Sequence, residues 1–282
     1  RALRIRQISY QVQQYWYNWI YQNERADLLE QQQDLYETVV ERADLQLNAG
    51  EINRLDKTLA DNQLLQTTKA LTSAQTDAQR AYTQLRQAAF LAENYEPPRD
   101  AFDALPLPVT EQVNATLTTP LQRQINVAQA NTILQEKQIA PRFSFGYFLL
   151  SLRPRFPLHG VTAGVSLPIF NKPQRARIEQ TRVQEMIAQN DLQLANLELE
   201  RQRELAREQA LLLQNQLNTS GEALREQAQA IRGLAEAQLQ NGEIDYFRYV
   251  QSLEAALQNE LDYLDLVQQY NQAVLELRYI AE

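Results

Sequence analysis

One string occurs twice. Leu47-Asn-Ala-Gly-Glu-Ile-Asn53 returns as Leu239-Gln-Asn-Gly-Glu-Ile-Asp245, 192 residues later. The same offset, without gaps, pairs Val39 with Ile231, Ala43 with Ala235, Leu65 with Leu257, Ala81 with Ala273 and Leu85 with Leu277. A gapless register over about fifty residues marks an internal duplication, so the chain should fold as two versions of one unit. Each copy of the string has a helical pattern on both sides. Its Gly supplies the left-handed conformation that ends a helix at little cost. The unit is therefore a helical hairpin.

The hairpins are long. Residues 1–93 hold no Pro and a single Gly, Gly50. Ile5, Ile8, Val12, Tyr15, Trp16, Trp19 and Ile20 recur at helical spacing, and the pattern resumes with Ile52, Leu55 and Leu59. This predicts helices over about 1–48 and 52–93, one hairpin of repeat 1. Pro97, Pro98, Pro106 and Pro108 break residues 94–118 into a connector. Repeat 2 occupies 119–282. It opens with a helix over 120–139, Pro120 suiting the first turn. A long helix is expected over 173–240 and a last one over 244–282. The last helix carries two stripes, one through Val250, Leu253, Leu257, Leu264 and Val267, the other through Tyr246, Tyr249, Ala256, Tyr263 and Tyr270. Two stripes need neighbours on two sides, as in a wall or a closed barrel of helices.

Residues 141–170 change period. Val161, Ala163, Val165 and Leu167 alternate with Thr162, Gly164 and Ser166, and Arg142–Ser151 is rich in aromatics. Period two with these residue types reads as strands over 142–151 and 160–170, and the short link makes an antiparallel hairpin. The duplication implies that repeat 1 should have its own strand pair. Its place falls before residue 1, so the chain reads as N-terminally incomplete.

Composition removes most chemistry. There is no Cys and one His, His159, which excludes disulfides, Cys-based metal sites and Cys–His catalysis. No nucleophile motif or phosphate loop occurs, so neither an enzyme nor a cofactor is expected. The net charge of −8 argues against nucleic acid. No apolar run is long enough for a membrane helix.

Pro141-Arg-Phe-Ser-Phe-Gly146, Gly164-Val-Ser-Leu-Pro-Ile-Phe-Asn171, Gln174-Arg-Ala-Arg-Ile178 and the twin Gly-Glu-Ile turns together resemble the TolC-like outer-membrane efflux factors, especially those of heavy-metal pumps of the resistance–nodulation–division class. The C-terminal efflux-factor segment of some fused metal pumps is similar too. The resemblance implies a mainly α homotrimer whose hairpins form an α-barrel tunnel through the periplasm. The strand pairs would form a β-barrel in the bacterial outer membrane, and residues 94–118 an equatorial belt. It implies a passive conduit for heavy-metal cations, served by a periplasmic adaptor and an inner-membrane pump. A structural coiled coil and a periplasmic adaptor are the competing readings of the same helices.

The resemblance also implies sites. Gly50, Glu51, Ile52 and Gly242, Glu243, Ile244 would dock the adaptor, with Gly allowing close approach and Ile as a small apolar anchor. Against this stands a plain helix stop. Asp56, Asp245 and Arg248 would constrict the pore or pair across neighbouring hairpins, against a merely solvated face. Phe143, Phe145, Tyr147, Phe148 and Phe156 would face lipid. The Tyr10–Tyr21 aromatic cluster is expected to pack between helices.

Overall fold

The computed structural model describes residues 2–92, 95, 97, 98, 101–109, 112–151, 157–167 and 172–281. It is mostly helical, with one antiparallel strand pair, and its residues form two compact units, 1–113 with 201–282 and 114–200. This division cuts across the repeat boundary.

In the first unit, helix α1 spans Ala2–Ala49 and α2 spans Arg54–Ala89. Gly50 sits between them at φ 77°. Its amide donates to the Leu47 carbonyl at 3.1 Å, and the Glu51 amide donates to the Gln46 carbonyl at 2.9 Å. These two bonds satisfy carbonyls that a helix end otherwise leaves open. Asn53 then starts α2 through a reciprocal capping box with Asp56. The expected helix 52–93 is thus shorter. It stops at Ala89 because Phe90 turns left-handed, at φ 55°, and the Leu91 amide closes on the Arg86 carbonyl at 3.0 Å.

The expected single helix 173–240 is also corrected. Helix α4, Lys172–Gln216, passes through a π-helical turn, Leu217–Gly221, into α5, Glu222–Gln240. Gly221 is buried there, and a Cβ on it would lie 3.2 Å from Leu217 and 3.6 Å from the Tyr263 ring. Helix α6 runs Tyr246–Ala281. It packs on α5, and its other side meets α1.

Small residues set this packing. Ala43, Ala60, Ala210, Ala228 and Ala256 are each fully buried, which lets backbones approach closely. Larger side chains fill the space between these seams. Tyr36, Leu85, Val267 and Val274 are at most 1% exposed, each contributing about 2 kcal/mol by burial. The Tyr/Trp cluster packs as expected, with Trp19 and Tyr21 buried against Leu85 and Val267. Tyr10 stacks on Tyr279 at 4.6 Å.

The connector is tied to α6. Asn271, fully buried, accepts from the Leu105 amide at 2.8 Å and donates to the Asp103 carbonyl at 3.0 Å. Tyr270 and Arg278 donate to the Leu105 and Pro106 carbonyls at 2.8 and 2.7 Å. Without these side chains, water or other protein groups would have to satisfy the same backbone groups.

In the second unit, α3 spans Thr119–Lys137, β1 Arg142–Ser151 and β2 Pro157–Ser166. The second strand starts three residues earlier than 160, because the register runs unbroken from Arg142↔Ser166 to Ser151↔Pro157. Gln174, at the start of α4, donates to the Gln135 carbonyl at 3.1 Å and to the Gln135 and Gln138 side chains. Arg182 pairs with Glu136 at 2.9 Å. These contacts pin the first turns of α4 to the end of α3. The motif residues 168–171 and Phe156 lie outside the described residues.

Candidate functional site

Two features stand out, one in each unit. The first is the pair of turns. Gly242 repeats Gly50 in detail, with φ 73°, its amide on Leu239 at 3.1 Å and the Glu243 amide on Gln238 at 2.8 Å. Asp245 repeats Asn53, its carboxylate accepting from the Arg248 amide at 2.8 Å. Gly50, Glu51, Gly242 and Glu243 are exposed, and no atom lies within 4 Å of where a Cβ would stand on either Gly.

The two Ile behave differently from an exposed anchor. Ile52 and Ile244 are partly buried against one shared cluster of Tyr36, Val39, Ala43, Tyr246, Tyr249 and Val250. The Tyr246 hydroxyl donates to the Val39 carbonyl within that cluster. Burial, then the neighbouring Tyr249, pushes its pKa above the usual tyrosine range. Hence the two turns are held side by side by their own apolar residues.

Asp56 and Arg248 lie in the first turns of α2 and α6 and Asp245 immediately precedes α6; the two carboxylates serve those helix starts. Asp56 accepts from the Asn53 amide at 3.3 Å, while Asn53 accepts from the Asp56 amide at 3.0 Å. A carboxylate here also suits the positive end of the helix dipole. Asp56 and Arg248 form no ion pair with each other among the described residues. Instead Lys57 bridges Asp44 at 3.3 Å and Asp61, joining α1 to α2 beside the turn. Nothing in the sequence periodicity pointed to that bridge.

The second feature is the strand pair. Directly paired residues share a face, so the register assigns residues 142–150 and 159–166 to one face or the other. Phe143, Phe145 and Tyr147 lie with Val165, Ala163 and Val161 on one face. All are exposed, Phe145 and Val161 at 83% each. Arg142, Ser144 and Gly146 lie with Ser166, Gly164 and Thr162 on the other. Phe148 belongs to this second face, apart from the other aromatics grouped with it. It covers Gly160, where a Cβ would collide with its ring. His159 contacts the Tyr147 hydroxyl through its ring nitrogen. Among the described residues no three His, Cys, Asp or Glu are placed to hold a metal.

A third cluster was not read from the sequence. Arg232 donates to Glu260 at 2.6 Å and to the buried Gln32 at 3.3 Å, between α5, α6 and α1. Its partners come from three distant stretches, so no local spacing reveals it. Beside it lies an open groove of about 320 Å³ lined by Asp27, Gln31, Asp103, Arg225, Glu260 and Tyr263.

By sequence, the chain matches no protein-family model and no curated protein. By structure it is similar to solved membrane channels. A membrane protein from Pseudomonas aeruginosa superposes with a TM-score of 0.83 at 16% identity, over 99% of this chain and 68% of that one. CusC, described with transmembrane channel formation, gives 0.82 at 16%, over 96% and 67%. The Campylobacter jejuni CmeC outer-membrane channel gives 0.79 at 11%, over 97% and 62%. The chain thus spans about two thirds of the length of these structures. At such identity the likeness establishes the fold alone, mostly helical with a small antiparallel strand pair and shared with solved outer-membrane channels.

Proposed function

We propose that the chain is the outer-membrane channel component of a tripartite efflux system, a passive conduit through the periplasm and outer membrane. The two-faced strand pair carries this reading. Ten residues per strand suit a tilted membrane-spanning strand. Over residues 142–147 and 161–166 one face is apolar and uncovered and the other carries Arg142 and small or polar residues, the alternation of a barrel wall between lipid and water; Phe148 and Leu150 interrupt it further along β1. Two strands alone are marginal in water, and both outer edges offer unpaired backbone groups. Further strands that close a barrel satisfy them.

The helices support a ring. Helix α6 is covered on both sides, by α5 and by α1. Its equivalent at the 192 offset, α2, is covered by α1 but exposes Thr58, Thr72 and Thr76. A head-to-tail contact, α2 of one copy against another copy, extends the wall and closes if the rotation permits. Three copies is the number that the sequence resemblance implies. The same resemblance supplies the adaptor at the Gly50–Ile52 and Gly242–Ile244 turns, the inner-membrane pump, and heavy-metal cations as cargo. Asp56, Asp245 and Arg248 then stand near the tunnel mouth.

The test uses the full-length protein, purified from outer membranes and reconstituted in a planar bilayer. The expected result is a trimer with stable conductance and cation preference. Asp56→Asn, which keeps an acceptor for the Asn53 amide but removes the charge, should weaken that preference. A monomer without conductance contradicts the reading.

A further inference from the structure

We infer that the helix end of the strand pair is a binding surface for anionic phospholipid headgroups, formed by Lys137, Lys172, Arg175 and Arg177. The inference rests on the channel reading above, which sets this end at the periplasmic leaflet, and adds the class of lipid selected there. Four observations carry it.

Charge is segregated along the chain. Residues 137–178 hold seven Lys or Arg and no Asp or Glu. The next longest stretch without an acid, 112–135, holds one cation, Arg123. The segment's +7 against a chain total of −8 leaves −15 for all other residues. The strand pair and its flanks are thus a basic island in an acidic protein.

The fold gathers five of the seven at one end of the strands. Lys137 is the last residue of α3, Arg142 opens β1, and Lys172, Arg175 and Arg177 lie in the first two turns of α4. Gln174 ties that start of α4 to Gln135 and Gln138 at the end of α3. All five cations are exposed. Arg142 belongs to the polar strand face, and so to the water side of the wall. The other four flank the two strands.

The chain does not neutralise them. Glu136 and Glu179, the carboxylates that bound the segment, are both taken by Arg182, at 2.9 Å each. Among the described residues the five cations form no ion pair. Nor does helix formation call for them. The first turn of α4 holds no acid, and a helix start already carries partial positive charge, so cations there are unfavourable to it.

The apolar strand face begins beside them. Phe143 pairs with Val165 as its first rung, one residue in from Arg142, and both are more than half exposed. Acyl chains against this face bring the headgroup phosphates of the same lipids level with the helix ends. A basic rim next to an apolar face suits anionic lipid, which supplies charge at the surface and apolar cover below it. An acidic soluble partner would use the charge but not the adjoining apolar face.

The test reconstitutes the full-length protein in phosphatidylcholine vesicles and compares the association of spin-labelled phosphatidylglycerol and spin-labelled phosphatidylcholine with it. At low salt the wild type should favour phosphatidylglycerol about tenfold, and added salt should lower that preference. Lys172→Gln with Arg175→Gln and Arg177→Gln should bring it to within about twofold, each single change costing about twofold. Arg207→Gln, exposed on the same helix about 45 Å further along, should leave it unchanged. A triple variant that keeps the wild-type lipid preference overturns the surface and leaves the channel reading standing. So does a preference lost only on Arg153→Gln with Arg155→Gln, in the link between the strands, which would assign the lipid to the opposite leaflet. If the triple variant does not fold, a photo-crosslinking amino acid at 172 or 175 replaces it. It should capture phosphatidylglycerol over phosphatidylcholine, where one at 207 captures neither, and equal capture of the two lipids overturns the surface. Protein that restricts neither lipid and gives no conductance removes the channel reading itself.

Discussion

In the helical unit Tyr36 and Val274 are fully buried, and the Leu105 amide and Asp103 carbonyl of a Pro-rich connector are met by one buried side chain, Asn271. In the strand pair Phe145 and Val161 are each 83% exposed and two edges lie open. Both regions are rich in apolar residues. Helices close their hydrogen bonds within themselves and need only side-chain cover, which α1, α2, α5 and α6 give one another. A strand satisfies its backbone only through neighbours. The helical unit is therefore largely self-sufficient, whereas the strand pair depends on partners and on its solvent.

The sharpest way to break that contrast is to change the solvent preference of one strand face. Phe145→Arg puts a charge on the apolar face and should destabilise membrane insertion by about 2–4 kcal/mol, removing the heat-modifiable folded band on a gel. Ser144→Arg, on the opposite face, should leave the band in place. Equal loss from both would mean the faces are not divided between lipid and water.

Within the helical unit the connector is the point most open to attack. Asn271→Ala removes two hydrogen bonds and strands the Leu105 amide, at a cost of about 2–3 kcal/mol. Urea unfolding should report it, and proteolysis should reach 101–109 sooner. A silent mutation would show that the connector is held by its apolar contacts alone.

Smaller effects should have the opposite sign. Phe90 ends α2 left-handed at φ 55° with its side chain 90% exposed. Phe90→Gly should relieve backbone strain and stabilise by about 1 kcal/mol. Thermal unfolding would show it as a rise in Tm. The Tyr36 hydroxyl is buried without a well-formed hydrogen bond, and burial pushes its pKa up to about 12. Tyr36→Phe should be neutral or stabilising by about 0.5 kcal/mol at pH 7. In the wild type the unfolded chain releases that proton first, from about pH 10, so the contribution is lost between about pH 10 and 12. Alkaline unfolding should shift upward in the variant.

The helical hairpins and the strand pair were legible in the sequence because their signals are local. Gly50 and Gly242 mark two left-handed helix ends, and period two marks β1 and β2. Phe90 adopts the same left-handed ending with no Gly to announce it, so α2 was read four residues too long. The π-helical turn at Leu217–Gly221 leaves the apolar pattern nearly continuous, so two helices read as one. That Phe148 lies on the opposite face from Phe143, Phe145 and Tyr147 was not legible, because four adjacent apolar residues, Phe148 with Tyr147, Leu149 and Leu150, carry no alternation. Asn271 and the Arg232–Glu260–Gln32 cluster join distant segments, and nothing in one sequence couples such positions. At the turns, the expectation of an exposed Ile is corrected, since the structure turns both Ile inward and leaves Leu55 and Phe247 outside.

The central claim is that β1 is a wall between lipid and water. These 282 residues hold no Cys, so a Cys introduced among them is the only one there, and any Cys elsewhere in the full-length protein is replaced first. Single Cys at 143 through 147 in the full-length protein, labelled with an environment-sensitive fluorophore in lipid vesicles, would be quenched in turn by lipid-bound and water-soluble quenchers. The account predicts a strict alternation, with positions 143, 145 and 147 quenched from lipid and 144 and 146 from water. Uniform quenching from water at all five positions would contradict it.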